Sequence, residues 1–396
     1  MSSLRGACAR IAATGAAIAL LAGQSSAAQA ACTWSVVPTV NPGANFNIFG
    51  AVSATSKTNA WAVGYYSISS TETGALAERW NGSVWKVVPT QNPSANQTVF
   101  FGVKALANNN AWAVGYYQTA SNLFEPISEH WNGNKWTVVN MPPAPAPNGG
   151  YMNSVDAVSP TDIWAVGLQI PTSVGYQTFA EHWNGTKWSV VTTPNVNGFN
   201  QILQTTFAVG TSDVWAGGYY TLSSGIKQNL SMHWNGVKWT IVPMKDVGSS
   251  NNFINGMGGF ATNGVFAVGT HRNTSENGPN TLSEGWNSTK WAVQSSPNDG
   301  SLTTAFEAVV ASTSEGALAV GLVNPVTGQQ FQIPYAALWN GTKWVQSLPV
   351  AAGTYGSFFN SASLIPGTHD FWAAGGAFDS AGNFNALTTM QMLQCP

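Results

Sequence analysis

Leu76-Ala77-Glu78-Arg79-Trp80-Asn81-Gly82-Ser83-Val84-Trp85-Lys86-Val87-Val88-Pro89 reads as two short strands folded on a turn. Leu76 to Trp80 and Trp85 to Val88 are the strands, and Asn81-Gly82 tolerates the positive φ that a tight hairpin demands. Pro89 stops the ladder because it has no N–H to give. Upstream, Ala60 to Tyr65 forms another strand on the motif Trp61-Ala62-Val63-Gly64, and Phe49 to Ala54 forms a fourth. In chain order these are strands A to D. No stretch sustains a helical period.

The unit recurs along the chain. Trp-Asn returns at Trp80, Trp131, Trp183, Trp234, Trp286 and Trp339, at intervals of 51 to 53 residues. The strand-B motif or a near relative starts at Trp61, Trp112, Trp164, Trp215, Phe266, Leu318 and Trp372. Four strands in about fifty residues, repeated, is the pattern of propeller blades. The first motif occurs six times and the second seven, so one blade lacks its own hairpin. The seventh unit has strand B at Phe371 to Gly375 and strand C near Leu387 to Met392, but no strand D. Trp34-Ser35-Val36-Val37-Pro38 matches Trp85 to Pro89 and has no strand C before it. The expected fold is therefore an all-β, seven-bladed β-propeller with four antiparallel strands per blade, whose N- and C-terminal strands share the last blade. Aligning Met392 with Trp80 and Trp34 with Trp85 puts Cys32 and Cys395 at the position of Ser83. A disulfide there would replace the missing turn.

Arg5 and Arg10, the apolar run Ile11 to Leu21 and the small-residue pattern Ala28-Gln29-Ala30 make residues 1–30 a secretory signal peptide, leaving 31–396 as the propeller. Cys8 leaves with the leader, and an oxidising compartment permits the remaining two cysteines to pair. Gln29 stands three before Cys32, where a lipoprotein signal needs a branched apolar residue, so lipid attachment is not expected. The chain is expected to be secreted and extracellular, with the periplasm and the cell envelope as other destinations. No later segment approaches eighteen uninterrupted apolar residues, and membrane insertion is not expected. Charged residues are 8% of the chain and the net charge is -2. Losing two leader arginines makes the remainder more acidic. With no basic stripe or polybasic segment, neither nucleic acid nor anionic lipid is an expected partner.

Trp61-Ala62-Val63-Gly64 stands where kelch blades carry an apolar strand ending in Gly-Gly, and the Trp80 to Trp85 pair resembles that family's spaced aromatic pair. The units thus resemble kelch-type repeats over nearly the whole chain after the leader. They are most similar to propellers of exported bacterial proteins whose repeats read Trp-Asn-Gly-Thr-x-Trp, then Val-Val-Pro. Only Gly217-Gly218 and Gly375-Gly376 keep the double glycine, and the aromatic spacing is one residue short. The Asn-Gly hairpin also resembles the Asp-box of sialidase-like propellers, without its Ser and Asp. The resemblance implies a fold and no function.

All eighteen tryptophans fall on repeat positions, which assigns them to packing between blades. Glu78, Glu129, Glu181 and Glu284 precede the strand-C Trp by two residues, in different blades. Paired carboxylates could serve a glycosidase, but ring geometry holds these apart. Lys135, Lys187, Lys238 and Lys290, with Lys343, recur before the strand-D Trp, so a structural Glu–Lys pair in each blade is expected. His130, His182 and His233 share one repeat position in three blades and would not converge as zinc ligands need to. No metal or cofactor is expected. Asp162, Asp213, Asp370, Asn59, Asn110 and Asn263 mark the A–B turns as side-chain caps.

Binding residues are sought in the B–C and D–A loops, which open on one face of the disc and vary in length. Tyr65-Tyr66, Tyr116-Tyr117 and Tyr219-Tyr220 enter the B–C loops, and Tyr66, Tyr117 and Tyr220 are the expected ligand contacts, with Phe124 and Tyr176 beside them. Aromatic faces among amides and hydroxyls suit neutral sugars. The expectation is a non-enzymatic, monomeric binding or adhesion module for a neutral polysaccharide or a protein. The alternatives are an extracellular carbohydrate-active hydrolase or oxidase, and a structural envelope or spore-coat protein. A galactose-oxidase-like copper site would need a Cys–Tyr crosslink inside the ring. A sialidase would need three arginines, where only Arg79 and Arg272 remain after the leader.

Overall fold

The computed structural model describes residues 32–395 except 94–95, 174, 197, 276–277, 299, 301–302, 314–315, 326–330 and 380–385. The leader assigned to residues 1–30 lies outside the described residues. Seven four-stranded antiparallel sheets follow one another around a ring, with no helix among the described residues. Blade 1 comprises Asn47–Ser56 (A), Asn59–Ser67 (B), Thr73–Trp80 (C) and Trp85–Val87 (D). The innermost strands of blades 2 to 6 are Thr98–Ala107, Gly150–Ser159, Phe199–Gly210, Asn252–Gly259 and Thr303–Ser312.

Blade 7 is assembled from both ends: Ser357–Leu364, Phe371–Phe378, Ala386–Gln394 and, as its outer strand, Thr33–Val36. Its register corrects the sequence alignment by one residue. Trp85 pairs with Trp80, but Trp34 pairs with Leu393, so Leu393 rather than Met392 takes the place of Trp80. Cys395 therefore falls where Gly82 stands and Cys32 where Ser83 stands. The Cys32–Cys395 disulfide bridges these two adjacent positions.

The hairpin also differs from the tight turn read from Asn-Gly. Four residues separate Trp80 from Trp85, and of the two turn residues only Gly82 has a positive φ, at 97°. Asn81 acts through its side chain: Oδ1 accepts from the Ser83 and Val84 N–H groups, both at 3.0 Å.

Blade contacts are aromatic triads. The strand-B Trp61 of blade 1 meets Trp131 and Trp136 of blade 2 at 4.9 and 4.8 Å between ring centroids. Trp112 with Trp183 and Trp188, Trp164 with Trp234 and Trp239, Trp215 with Trp286 and Trp291, and Trp372 with Trp80 and Trp85 repeat the arrangement. Phe266 replaces the first indole against Trp339 and Trp344. Between blades 6 and 7, Leu318 and Trp34 join one apolar cluster. On the outer side of three of these indoles, His130, His182 and His233 stack at 4.4 to 4.5 Å and bond to Asn110, Asp162 and Asp213. Arg79 does the same in blade 1 against Asn59. The A–B Asx residues thus anchor strand C as well as their turns.

The expected Glu–Lys pairs do not form among the described residues. The strand-C glutamates are fully buried and latch consecutive blades instead. Glu78 accepts from the Val40 N–H, Glu129 from Gln91 and Glu284 from Lys245, each donor lying in the linker from the preceding blade. Gln391 makes the same contact with Val350. All four donors lie six residues after a strand-D Trp. Where that place is proline, at Pro194 and Pro297, strand C carries Met232 and Ala337. Blade 3 breaks the rule, because Pro142 offers no N–H and Glu181 is still present, both its oxygens buried without a partner. Burial pushes Glu78 up to about 8 and Glu129 and Glu284 to about 7, against the lowering by their backbone donors. Glu181, with burial alone acting, rises to about 9.

Candidate functional site

The ring encloses a central channel of about 640 Å³ lined by the seven innermost strands. Each of these strands carries a β-bulge at the same place, so one residue per blade falls out of register with strand B. In blade 1, Phe49 pairs with Gly64 and Ala51 with Val63, leaving Gly50 as the bulge. Phe101, Asn153, Gln204, Asn255, Glu307 and Asn360 are its counterparts. The bulge explains the glycine of the strand-B motif: a Cβ on Gly64 would collide with the Ile48 carbonyl oxygen, and the equivalent clash recurs at Gly115, Gly167, Gly218, Gly269, Gly321 and Gly375.

Inner strands are sheet edges, and their unpaired backbone groups are met from the neighbouring blade. Ser53 Oγ accepts from Ala105 N–H, Ser361 and Ser363 from Val52 and Ala54, Ser154 and Asp156 from Thr206 and Ala208, and Thr205 from Met257. Asp156 also holds Lys104 at 2.6 Å. The channel wall is thereby closed by side chains as well as by sheet.

One end of the channel opens on the face of the D–A and B–C loops, and its mouth is aromatic. Tyr65 contacts Phe46 at 5.8 Å and Phe101 at 6.5 Å. Phe101 meets Tyr116 at 5.8 Å and Tyr151 at 6.0 Å. Tyr116 and Tyr151 lie 5.8 Å apart, and Tyr219 with Phe253, at 5.0 Å, continues the wall under Lys227. Burial raises the phenols of Tyr65, Tyr116 and Tyr219. Tyr151 is pushed up to about 12 by burial, then by Tyr176, Tyr219 and Tyr116. These groups stay O–H donors. Tyr116 spends its hydroxyl on Gln97, while Tyr65, Tyr151 and Tyr219 have no hydrogen-bond partner among the described residues.

The sequence-derived contacts sit beside this mouth. Strand alternation sends Tyr65, Tyr116 and Tyr219 to the wall, and sends Tyr66, Tyr117 and Tyr220 the other way. There these three are half-buried and pack on the apolar cluster shared with the preceding blade. Tyr220 also donates to Gln228 at 2.6 Å. Phe124 packs edge-on against Tyr116 at 5.0 Å, and Tyr176 is 39% exposed near Tyr151 and Tyr219. The first tyrosine of each pair, with Tyr151, Phe101 and Phe253, went unread in the sequence. The parity of Trp61 and Val63 carried the signal for Tyr65.

No protein-family model matches the chain, and no curated protein matches it. Solved structures do. A protein of unknown function from Dyadobacter fermentans has a TM-score of 0.54 at 8% identity, over 92% of this chain and 100% of that one. YCF48 bound to D1 peptide gives 0.52 at 12% identity, over 92% and 96%. AFV00434, an ancestral GH74 enzyme, gives 0.51 at 14% identity, over 89% of this chain and 47% of that one. These likenesses show the propeller fold. They also correct the expectation that the chain is not an enzyme. The ancestral GH74 protein is an enzyme built on this fold. Catalysis is compatible with this architecture.

Proposed function

We propose that this protein is an exported, carbohydrate-directed propeller that holds a neutral saccharide at the aromatic mouth of its channel. Residues 1–30 are then a leader, and 31–396 the working propeller. The observation that supports this most is the ring cluster of Tyr65, Phe101, Tyr116 and Tyr151 with the Tyr219–Phe253 pair beyond it, which leaves unspent phenolic hydroxyls among the ring faces. Sugar C–H faces stack on such rings while sugar hydroxyls take the phenols as partners. Phe124 and Tyr176 extend the surface outward, and Tyr66, Tyr117 and Tyr220 flank it. A saccharide entering the channel reaches Glu307 and then Asp156, so glycosidic cleavage is measured along with binding. The Cys32–Cys395 disulfide agrees with an extracellular setting.

The test is a panel of neutral oligosaccharides screened by titration calorimetry, with each mixture analysed for cleavage products by mass spectrometry. Saturable binding lost in a Tyr65→Ala/Tyr151→Ala protein of unchanged melting temperature supports the reading. Binding unaffected by that change, or confined to peptides, sinks it.

A further inference from the structure

The seven bulges place six side chains in one belt around the lumen: Phe101, Asn153, Gln204, Asn255, Glu307 and Asn360. Three of the amides are already committed. Asn153 Nδ2 donates to the Leu203 carbonyl at 2.9 Å, Asn255 Nδ2 to Phe306 at 3.0 Å and Asn360 Nδ2 to Phe49 at 2.9 Å. Each bond stitches a blade to the next, and each fixes the amide, because the side-chain oxygen could not serve a carbonyl. The nitrogen is spent along the wall, and Oδ1 of each has no partner among the described residues.

Glu307 stands in this belt between Asn255 and Asn360, where an amide would donate onward to the Phe359 carbonyl. It has no hydrogen-bond partner among the described residues. The other charges lining the channel, Lys104 and Asp156, neutralise each other at 2.6 Å. Asp156 is further occupied by the N–H groups of Ala157 and Ala208. Glu307 is therefore the unpaired charge of the lumen, flanked by two acceptor oxygens. Phe101, three blades on, turns its ring into the aromatic mouth against Tyr116 and Tyr151.

We propose that the belt binds a primary ammonium group carried on a small organic frame. An ammonium has three donors and no acceptor. Glu307, Asn255 Oδ1 and Asn360 Oδ1 are the acceptors that three consecutive positions of the belt leave for it. No cluster of three His, Cys, Asp or Glu side chains converges among the described residues, and a hard divalent ion asks for more oxygens than one carboxylate supplies. Burial pushes the Glu307 carboxyl up to about 7. A bound cation draws it down, so binding releases protons near neutrality and tightens as pH rises from 6 to 8. The site does not depend on the saccharide reading, since a simple alkylammonium offers nothing to stack.

The experiment titrates the full chain with n-butylammonium chloride, D-glucosamine, n-butanol and calcium chloride, by calorimetry at pH 6, 7 and 8 in buffers of differing ionisation enthalpy. Butylammonium is expected to bind with proton release, tighter at pH 8 than at pH 6, and n-butanol not to bind. Glu307→Gln, which supplies the amide its neighbours already use, is expected to weaken binding at least about tenfold, as for one lost charge-assisted hydrogen bond. Tighter binding of glucosamine than of butylammonium at pH 6, where both amines are protonated, identifies an amino sugar as the source, and the reverse order a plain amine. The inference is overturned if neither amine binds at pH 6, if butylammonium binding releases no proton, if Glu307→Gln binds as well as the parent, or if calcium alone produces the response. The proton release is read on the unaltered protein, so it decides even if the variant fails to fold.

Discussion

Glu181 shows how a single side chain can be judged against its own repeats. The other strand-C acids each receive a linker N–H, whereas Pro142 leaves Glu181 with none. Its folded pKa of about 9 lies above the ordinary 4.5, so the native state favours the protonated form. The associated stability is fully present below about pH 4.5 and is lost as pH rises toward 9. Blade 4 already shows the cure, with Met232 opposite a linker proline. Glu181→Met is expected to raise stability by about 1–3 kcal/mol at pH 8 and by much less at pH 4, read from urea midpoints at the two values. A gain independent of pH would deny the buried charge. Ser288 offers a simpler case, holding φ at 75° where the other described hairpins have glycine. Ser288→Gly is expected to add about 0.5–1 kcal/mol, measured the same way. Both sites were visible as residues in the sequence. Their energetics were not, because the proline and the acid it fails to serve lie about forty residues apart.

At the scale of the element, strand B was legible and strand A was only half so. Trp-Ala-Val-Gly announced each second strand, but the bulge that makes its glycine obligatory leaves no residue signature, since Gly, Phe, Asn, Gln and Glu all occupy it. That missing residue count hid which strand-A side chains reach the lumen, whereas the difference between Tyr65 and Tyr66 lay in the unbroken alternation of strand B from Trp61 and Val63. The two classes of tyrosine are separable. A Tyr65→Ala/Tyr116→Ala/Tyr151→Ala protein is expected to lose saccharide binding by about tenfold or more while remaining folded at the assay temperature. A Tyr66→Ala/Tyr117→Ala/Tyr220→Ala protein is expected to melt several degrees lower, because each ring packs on a blade core. Differential scanning calorimetry with parallel binding measurements checks both. Lost binding at unchanged melting in the second protein would return the contact role to Tyr66, Tyr117 and Tyr220.

The whole molecule is held by closure, and this was the most legible level of all. Seven strand-B motifs against six hairpins forced the two ends into one blade, which the pairing of Thr33–Val36 with Ala386–Gln394 bears out. Only the register slipped, because Met392 and Leu393 both lack the indole that marks the place elsewhere. Outer-strand pairing in blade 7 spans four residue pairs, as in the fullest of the other blades, and the disulfide adds a covalent tie at its end. Cys32→Ser/Cys395→Ser is expected to lower stability by roughly 2–5 kcal/mol. Hydrogen exchange should then rise first in Thr33–Val36 and its partner strand, and a uniform rise across all blades would contradict this. The closing bond has a further consequence. The Cα atoms of Cys32 and Cys395 lie 4.2 Å apart, close to the ~3.8 Å of one trans peptide link. The seam is therefore geometrically an ordinary hairpin cut at one bond, and the ring has no intrinsic first blade. A circular permutant that joins these ends directly and opens between Gly236 and Val237, in an exposed equivalent turn, should fold to the same disc with its covalent break moved three blades away.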